Sequence, residues 1–174
     1  MKRVLGNAVT VFLVVGAAAV LLFEGARSTL LPDGAEAPAF DFEKHGGGRL
    51  TSAELQGQVV ILDFWATYCP PCREEMPWLV EVGDELAAKG VRFVAVSHDD
   101  EEDRAAMIAN FAKKVPGLEK YVVYGDPFTG GKYRVDALPT LYVIGKDGKV
   151  VASVRGSTSE WRVRRWVNEA LEAR

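Results

Sequence analysis

The stretch at residues 59–76, VVILDFWATYCPPCREEM, restricts the possible folds of this chain more than any other segment. Its first seven residues are apolar or β-branched except for one acid, Asp63, which is typical of a strand buried on both faces. The following residues have the apolar spacing of an amphipathic helix, at Met76, Leu79, Val80, Gly83, Leu86 and Ala87. The segment therefore predicts a buried strand, a turn that carries Cys-Pro-Pro-Cys, and a helix.

Cys69 and Cys72 are the only cysteines in the chain, and they fall at the predicted start of that helix. Unpaired N–H groups and the helix dipole favour an anion there, so the reactive thiolate form of Cys69 should be stabilised. We expect Cys69 to be the exposed, attacking sulfur and Cys72 to resolve the mixed disulfide from further inside. Pro70 and Pro71 suit the turn because early helical positions need no N–H group.

Two other uses of the cysteine pair remain open at this point. Half of a zinc site would need further ligands, and the chain offers only His45 and His98, neither at zinc-finger spacing. An inert structural disulfide is the second alternative, whereas the spacing favours redox exchange. The acidic run at residues 98–103 resembles a metal site, but acids at the positive end of a helix dipole also explain it. We expect no metal, and no cofactor other than a redox-active disulfide.

The N-terminus predicts export and membrane attachment. Lys2 and Arg3 precede an uncharged, largely apolar stretch up to Phe23, which at about 1.5 Å per residue is long enough to cross a bilayer. The positive-inside rule then places the rest of the chain on the far side of the membrane, outside the cytoplasm, as a single-pass protein. A cleaved signal peptide is the alternative, although no clean cleavage site follows Phe23. In either case the domain faces a compartment where disulfides persist.

The rest of the chain predicts one α/β domain. Residues 1–23 are the predicted transmembrane anchor or signal, residues 24–36 a Pro-, Gly- and Ser-containing tether, and residues 37–174 the domain. The order within it predicts a hairpin at 39–51, strands at 59–65, 91–97, 121–124, 138–144 and 150–154, an irregular loop at 126–134, and a last helix opened by Ser157-x-x-Glu160. The sequence therefore predicts a mixed central sheet with helices on both faces. The net charge of −3 gives no support to nucleic-acid binding.

Three motifs in this order resemble the thioredoxin superfamily. They are Asp63-Phe64-Trp65-Ala66 before the cysteine pair, the helix proline Pro77, and the late Leu138-Pro139-Thr140. The anchor, the hairpin and a helical insertion near residues 99–120 are similar to the exported TlpA/ResA branch of that superfamily. The resemblance implies that Pro139 is a cis proline beside the cysteine turn. It also implies that an extended substrate pairs with the backbone of Leu138.

The resemblance further implies the site residues. Asp63 matches the buried acid that helps to deprotonate the resolving thiol, and Glu75 matches the acid that ResA-like proteins place near their cysteines. Desolvation should raise the pKa of an acid in an apolar strand, which suits a proton acceptor. A structural acid at Asp63 and an exposed helix acid at Glu75 are the alternatives. The predicted substrate-binding residues are Trp65, Tyr68, Pro70, Pro71, Leu138, Pro139 and Thr140.

The function that this resemblance implies is a protein-disulfide reductase anchored in a bacterial inner membrane, with its domain in the periplasm or outside the cell membrane. Its substrates would be the haem-binding cysteines of apocytochrome c or another exported thiol protein, and a transmembrane thiol carrier would supply its electrons. Tyr68 and the Pro70-Pro71 pair depart from the family pattern, so an oxidase or isomerase of higher potential stays open. A metallochaperone that holds Cu(I) between the two thiolates is a further alternative. We expect the protein to act as a monomer.

Overall fold

A computed structural model of the protein describes residues 29–173. The predicted anchor or signal at residues 1–23, together with residues 24–28 of the predicted tether, lies outside the described residues. Between residues 29 and 173, no helix is both long and apolar enough to cross a membrane.

The described chain contains the predicted strands in the predicted order, together with one helix that was not predicted. The strands are β1 (Asp41–Lys44), β2 (Arg49–Thr51), β3 (Val59–Trp65), β4 (Val91–Ser97), β5 (Val122–Tyr124), β6 (Thr140–Ile144) and β7 (Val150–Arg155). The α-helices are α1 (Pro70–Leu86), α2 (Arg104–Ala112), α3 (Pro127–Lys132) and α4 (Glu160–Glu172). Short 3-10 helices occupy Ser52–Leu55, Ala87–Lys89 and Leu118–Tyr121.

The strands form one mixed sheet in the order β2-β1-β5-β4-β3-β6-β7. At its centre, β3 pairs in parallel with β4 and antiparallel with β6, which confirms the predicted mixed sheet. The predicted hairpin is formed by β1 and β2, and β1 also pairs antiparallel with β5. The hairpin is therefore continuous with the central sheet instead of standing apart from it.

Helices cover the two faces of the sheet unequally. Side chains of β3 alternate between two apolar clusters, with Ile61 and Trp65 in one and Leu62 and Phe64 in the other. The first cluster contains residues of α1, α2 and α4, so these three helices pack on one face. The opposite face carries α3, whose following residue Tyr133 is in the second cluster, and part of the N-terminal segment.

Residues 30–36, which belong to the predicted tether, pack along the domain. The backbone N–H of Gly34 donates to the carbonyl of Val150 at 2.7 Å, and Leu31 N donates to the Tyr142 hydroxyl at 3.4 Å. Leu30 and Leu31 pack against the second apolar cluster. These residues are therefore part of the domain.

The predicted irregular loop at 126–134 is wrong, because it contains helix α3. The Asp126 carboxylate accepts a hydrogen bond from Thr129 N at 2.9 Å, and Pro127 occupies the first helical position. Both are helix-start signals, and they outweigh the low helix propensity of Gly130 and Gly131.

Several element boundaries also differ from the prediction. Helix α4 begins at Glu160 with Ser159 as N-cap, two residues after the predicted Ser157. Strand β6 begins at Thr140 instead of residue 138, since Pro139 has no N–H group to donate to a strand ladder. Strand β5 begins at Val122, one residue later than predicted.

Helix α1 lies close against the sheet. It continues through Pro77, and Cys72, Glu75 and Met76 are on its buried side. A Cβ atom at Gly83 would come within 2.9 Å of the Phe93 Cβ on β4, so a residue without a side chain is needed at this contact. The close approach brings the second half of α1 against β4.

Candidate active site

The two cysteines form a disulfide at the N-terminus of α1. Cys69 is the N-cap residue, Pro70 and Pro71 begin the helix, and the Cα atoms of Cys69 and Cys72 are 5.3 Å apart. The backbone N–H of Cys72 donates to the Sγ of Cys69, with 3.3 Å between N and Sγ. The predicted position of the pair at a strand-to-helix turn is confirmed. Once the disulfide is reduced, an N–H donor at this distance stabilises the Cys69 thiolate.

Cys69 is more buried than the sequence predicted, whereas Cys72 lies inside as expected. Cys69 is 7% exposed and Cys72 is 1% exposed. The expectation that Cys69 is an exposed residue is therefore wrong, because Cys69 is largely buried. Most of the exposed surface of the turn belongs to its neighbours, with Tyr68 at 62% and Pro70 also exposed. The expected order is nevertheless present, because Cys69 is the more accessible of the two sulfur-bearing residues.

Asp63 is buried in the sheet on the face that carries α1. In β3 it alternates with Leu62 and Phe64 and pairs with Ala95 of β4 and Leu141 of β6, so its strand neighbours are apolar. Its Oδ1 atom has no hydrogen-bond partner among the described residues. Burial, and to a smaller extent the charge of Glu75, raises the pKa of Asp63 well above its ordinary value.

Glu75 is buried as well, at 4% exposed, so the alternative of an exposed helix acid is wrong. Its Oε1 accepts a hydrogen bond from the backbone N–H of Thr158 at 2.6 Å, while Oε2 has no partner in residues 29–173. Burial raises the pKa of Glu75 to about 7, against the opposing effect of the Thr158 hydrogen bond. At neutral pH this carboxyl group therefore exists in both protonation states.

Asp63 and Glu75 act on each other electrostatically. The charge of Glu75 contributes to the raised pKa of Asp63, and both side chains are on the side of the sheet that holds Cys72. Two buried carboxyl groups that interact in this way resist simultaneous ionisation. Near neutral pH, one carboxyl group of the pair can therefore hold a proton while the other is ionised and can accept one.

The loop before β6 reaches the same end of the sheet. The peptide bond between Leu138 and Pro139 is cis, as the family resemblance implied. Thr140 pairs with Phe64, the residue before Trp65 at the end of β3, so Pro139 is next to the start of the cysteine turn. The carbonyl of Pro139 accepts a hydrogen bond from Gly156 N at 2.8 Å, which joins this loop to the end of β7.

The predicted substrate-binding residues divide by exposure. Tyr68 and Pro70 are exposed, Pro71 and Leu138 are half-buried, and Pro139 is buried. The side chains of Trp65 and Thr140 have no exposed surface, which contradicts a direct side-chain contact with substrate. Trp65 points into the core against Phe111, with ring centroids 5.6 Å apart. The Thr140 hydroxyl donates to the carbonyl of Ala137 at 2.7 Å and so stabilises the loop from within.

Asp99 is a site residue that the sequence analysis missed. Its Oδ1 accepts hydrogen bonds from Thr67 N at 2.9 Å and Thr67 Oγ1 at 2.6 Å, and its Oδ2 accepts one from Ser97 Oγ at 2.9 Å. The backbone N–H of His98 also donates to the carbonyl of Trp65 at 2.8 Å. The end of β4 therefore holds the turn that leads into Cys69.

The acidic run at residues 98–103 connects β4 to helix α2. Between residues 29 and 173, no three or more His, Cys, Asp or Glu side chains are grouped so that they could bind a metal ion. Asp103 precedes helix α2, as the helix-start interpretation predicted, but its side chain makes no capping hydrogen bond. Asp99 lies near the cysteine turn because β4 ends beside β3, with Ser97 paired to Trp65. The sequence signal that could have identified it is its place two residues after the predicted strand at 91–97.

Comparison with known proteins also indicates a thiol-disulfide oxidoreductase. The model of the AhpC/TSA family matches residues 34–153. Thiol-disulfide oxidoreductase ResA of Bacillus anthracis is 36% identical over 129 residues, which cover 73% of this chain and 72% of the relative. The ResA of Bacillus subtilis (strain 168) is 32% identical over 136 residues, 78% of this chain and 74% of the relative.

A solved structure has the same fold. The thiol:disulfide interchange protein of the thioredoxin family from Chlorobium tepidum TLS superimposes with a TM-score of 0.70 at 28% identity, covering 81% of this chain and 99% of that structure. The fold, the Cys69–Cys72 disulfide at a helix N-terminus and these matches agree. The chain therefore belongs to the AhpC/TSA family of thioredoxin-like proteins and is a thiol-disulfide oxidoreductase of the ResA type.

Proposed function

We propose that this protein reduces disulfides of other exported proteins. The observation that carries the proposal is the pair of buried carboxyl groups, Asp63 and Glu75, beside the cysteine helix. Negative charge near the sulfurs destabilises the thiolates of the reduced protein and so favours its disulfide form. A protein whose disulfide form is favoured gives up electrons readily, whereas strong oxidants such as DsbA have a stabilised reduced form.

The proposed reaction is a two-step thiol–disulfide exchange. The Cys69 thiolate attacks one sulfur of the substrate disulfide, the substrate S–S bond breaks, and the released substrate thiolate takes up a proton. Cys72 then gives its proton to a carboxylate and attacks Cys69 Sγ, which forms the Cys69–Cys72 disulfide and releases the second substrate sulfur as a thiolate, which in turn takes up a proton. Two electrons pass to the substrate, and a dithiol donor must return two electrons before the next cycle.

The two acids take different parts in this proposal. Asp63, the more buried, accepts the proton of Cys72 in the closed mixed-disulfide complex, where water is excluded. Glu75, with a pKa of about 7, exchanges that proton with solvent, since a group half-protonated at neutral pH can both accept and release it. Cys69 is the attacking residue because it is the more accessible one and receives the N–H of Cys72.

The substrate surface consists of the exposed part of the turn and the loop before β6. Tyr68 and Pro70 offer apolar surface on either side of Cys69, and the backbone at Leu138 lies outside the ladder of β6. An extended substrate segment that adds there as a strand brings its cysteine towards Cys69. We propose that the protein acts as a monomer.

The proposed location is the outer face of a bacterial inner membrane, in the periplasm, with residues 1–23 as the transmembrane anchor. The apolar stretch after Lys2 and Arg3 supports this topology. Carbonate extraction of membranes should leave the full-length chain in the pellet. Release into the supernatant, or a mature N-terminus near residue 27, would show a cleaved signal peptide instead.

The proposed substrates are cysteine pairs of the haem-binding type in apocytochrome c, with a transmembrane dithiol protein as electron donor. We would incubate the reduced protein with a peptide that carries a Cys-x-x-Cys-His disulfide, the c-type haem attachment motif. The expected result is one peptide dithiol for each protein disulfide formed, with no reaction for Cys69→Ser. A peptide that stays oxidised, or a protein that oxidises the peptide dithiol, would contradict the proposed direction.

A further inference from the structure

A groove runs from the cysteine turn to the end of helix α2. Two depressions, of about 190 Å³ and about 360 Å³, lie between the first turns of α1 and the residues at and after the end of α2. Arg73, Phe111 and Lys114 line both depressions, so the two form one continuous surface, the α1–α2 groove. Thr67 and Pro70, which flank Cys69 in the sequence, line it as well. The groove therefore begins at the reactive turn.

The groove carries an excess of positive charge. Arg73 and Lys114 are both exposed, and neither makes a salt bridge with another residue between 29 and 173. Glu74 is the one acid in its lining, against two cations. The chain as a whole has a net charge of −3, so this patch has the opposite sign to the protein that bears it.

Arg73 is at a position that helix stability does not favour. It is in the first turn of α1, where the helix dipole disfavours a cation and where no acid is present. Its guanidinium group lies over the Phe111 ring, 5.7 Å from the centroid, which holds the charge at the wall of the groove. A cation kept in place there, next to an apolar floor, fits an anionic group on an incoming chain.

We propose that the α1–α2 groove binds an acidic segment of the protein substrate next to its reactive disulfide. One Asp or Glu of that segment pairs with Arg73 and Lys114, and an apolar neighbour packs on Phe111. Arg73 is one helical turn past Cys69, about 5–6 Å along the helix, and an extended chain advances about 3.3 Å per residue. The acid should therefore lie about two to four residues from the attacked cysteine. This inference rests on the proposed exchange with exported protein disulfides.

The test uses three peptide disulfides that differ only in two residues beside the cysteine, Asp-Leu, Asn-Leu or Lys-Leu. Each surface ion pair contributes a modest amount of binding, so the full-length reduced protein should prefer the acidic over the neutral peptide about 3- to 10-fold in kcat/KM. Raising the salt concentration to 1 M should remove most of this preference, since the Debye length then falls to about 3 Å.

Charge-reversal variants localise the effect. In the double variant Arg73→Glu/Lys114→Glu, the acidic-to-neutral ratio should fall below one and the basic peptide should become the best substrate. Lys113→Glu is the matched control, because Lys113 is an exposed neighbour that does not line the groove, and its ratio should equal that of the wild type. The ratio cancels any general change in Cys69 reactivity caused by Arg73.

The outcomes separate this inference from the proposed function. If the wild type reduces all three peptides at equal rates, or if Lys113→Glu changes the ratio as much as the double variant does, the groove is not a substrate site. If the wild type reduces none of the three, the proposed function itself fails. A preference for the basic peptide in the wild type would assign the opposite charge to the substrate segment and would contradict the inference.

Discussion

The Glu75 side chain accepts a hydrogen bond from the backbone N–H of Thr158, with 2.6 Å between Oε1 and N. The two residues are 83 positions apart in the chain, and the bond joins the cysteine helix to the loop before α4. It also uses an N–H group near the predicted capping box at Ser157, which helps to explain why α4 starts later, at Glu160. A buried carboxyl group is thus held in the site by the neighbouring loop.

Stability should depend on pH through Glu75. Its pKa rises from an ordinary 4.5 to about 7 in the folded protein, so between these values the folded state binds a proton that the unfolded chain has lost. The stabilisation that this proton provides is fully present below about pH 4.5 and is lost as the pH rises through 7. Between about pH 4.5 and about pH 8, the wild type should lose about 2 kcal/mol of unfolding free energy relative to Glu75→Gln.

Urea unfolding of the oxidised proteins at several pH values measures this difference. Glu74→Gln is the control, since Glu74 is the exposed acid next to Glu75 on the same helix, and this variant should follow the wild-type pH dependence. Parallel stability curves for wild type and Glu75→Gln across this pH range would show that the folded-state pKa of Glu75 is ordinary.

Replacing Asp63 should slow the second step of the exchange. Without its carboxylate, Cys72 has no buried proton acceptor in the mixed disulfide, and a positioned acceptor accelerates a reaction by about 10²–10⁴. Asp63→Asn should therefore lower the rate of product release by at least about tenfold and shift its pH profile upward. Stopped-flow measurement of a single turnover resolves the two steps.

The first step should be insensitive to Asp63. In a Cys72→Ser background the reaction stops at the mixed disulfide, so the rate of attack by Cys69 can be measured alone. Asp63→Asn should leave that rate within about twofold. Equal slowing of both steps would assign Asp63 a general structural role, and wild-type turnover from about pH 6 to about pH 9 would remove it from the mechanism.

The two cysteines should differ in trapping. Because Cys69 is the accessible sulfur and Cys72 is 1% exposed, Cys72→Ser should accumulate mixed disulfides with partner proteins and Cys69→Ser should accumulate none. Non-reducing gels of cells that express each variant show the difference as bands lost on reduction. Equal trapping by the two variants would contradict the assigned roles.

Asp99 should stabilise the turn before Cys69. Asp99→Ala removes the acceptor of hydrogen bonds from Thr67 and Ser97 in a buried position, and hydrogen bonds to a charged group contribute about 1.5–3 kcal/mol each. We expect a loss of about 2–4 kcal/mol in unfolding free energy and slower attack by Cys69. The exposed neighbour Asp100 provides the control, and Asp100→Ala should change stability by less than about 0.5 kcal/mol. A similarly small change for Asp99→Ala would mean that the turn does not depend on it.

Local patterns in the sequence predicted most of this fold. The apolar run before the cysteines places β3 to the residue, and the spacing after them places the start of α1 at the cysteine turn, because burial on both faces and helical periodicity leave strong signals. Helix α3 was missed because Gly130 and Gly131 have low helix propensity, although Asp126 and Pro127 are helix-start signals. The pairing of β1 with β5 depends on contacts between distant segments, which local periodicity does not contain.

The site was predictable where its chemistry is local. The cysteine pair and the cis proline follow from short motifs, whereas the burial of Glu75 depends on the loop at Thr158, and the role of Asp99 depends on the pairing of β4 with β3. The predicted substrate contact by Trp65 was wrong because the alternation of side chains along β3 turns this residue into the core. Tertiary contacts therefore determined the outcomes for Glu75 and Asp99.

The reduction potential of the Cys69–Cys72 pair tests the central claim most directly. It can be measured by equilibrating the full-length protein with mixtures of reduced and oxidised dithiothreitol or glutathione and quantifying free thiols. A reductant whose disulfide form is favoured by Asp63 and Glu75 should have a potential near that of thioredoxin, about −270 mV, and replacing both acids by amides should raise it. A potential near about −120 mV, as in DsbA, would show that the protein is an oxidant and would contradict the account.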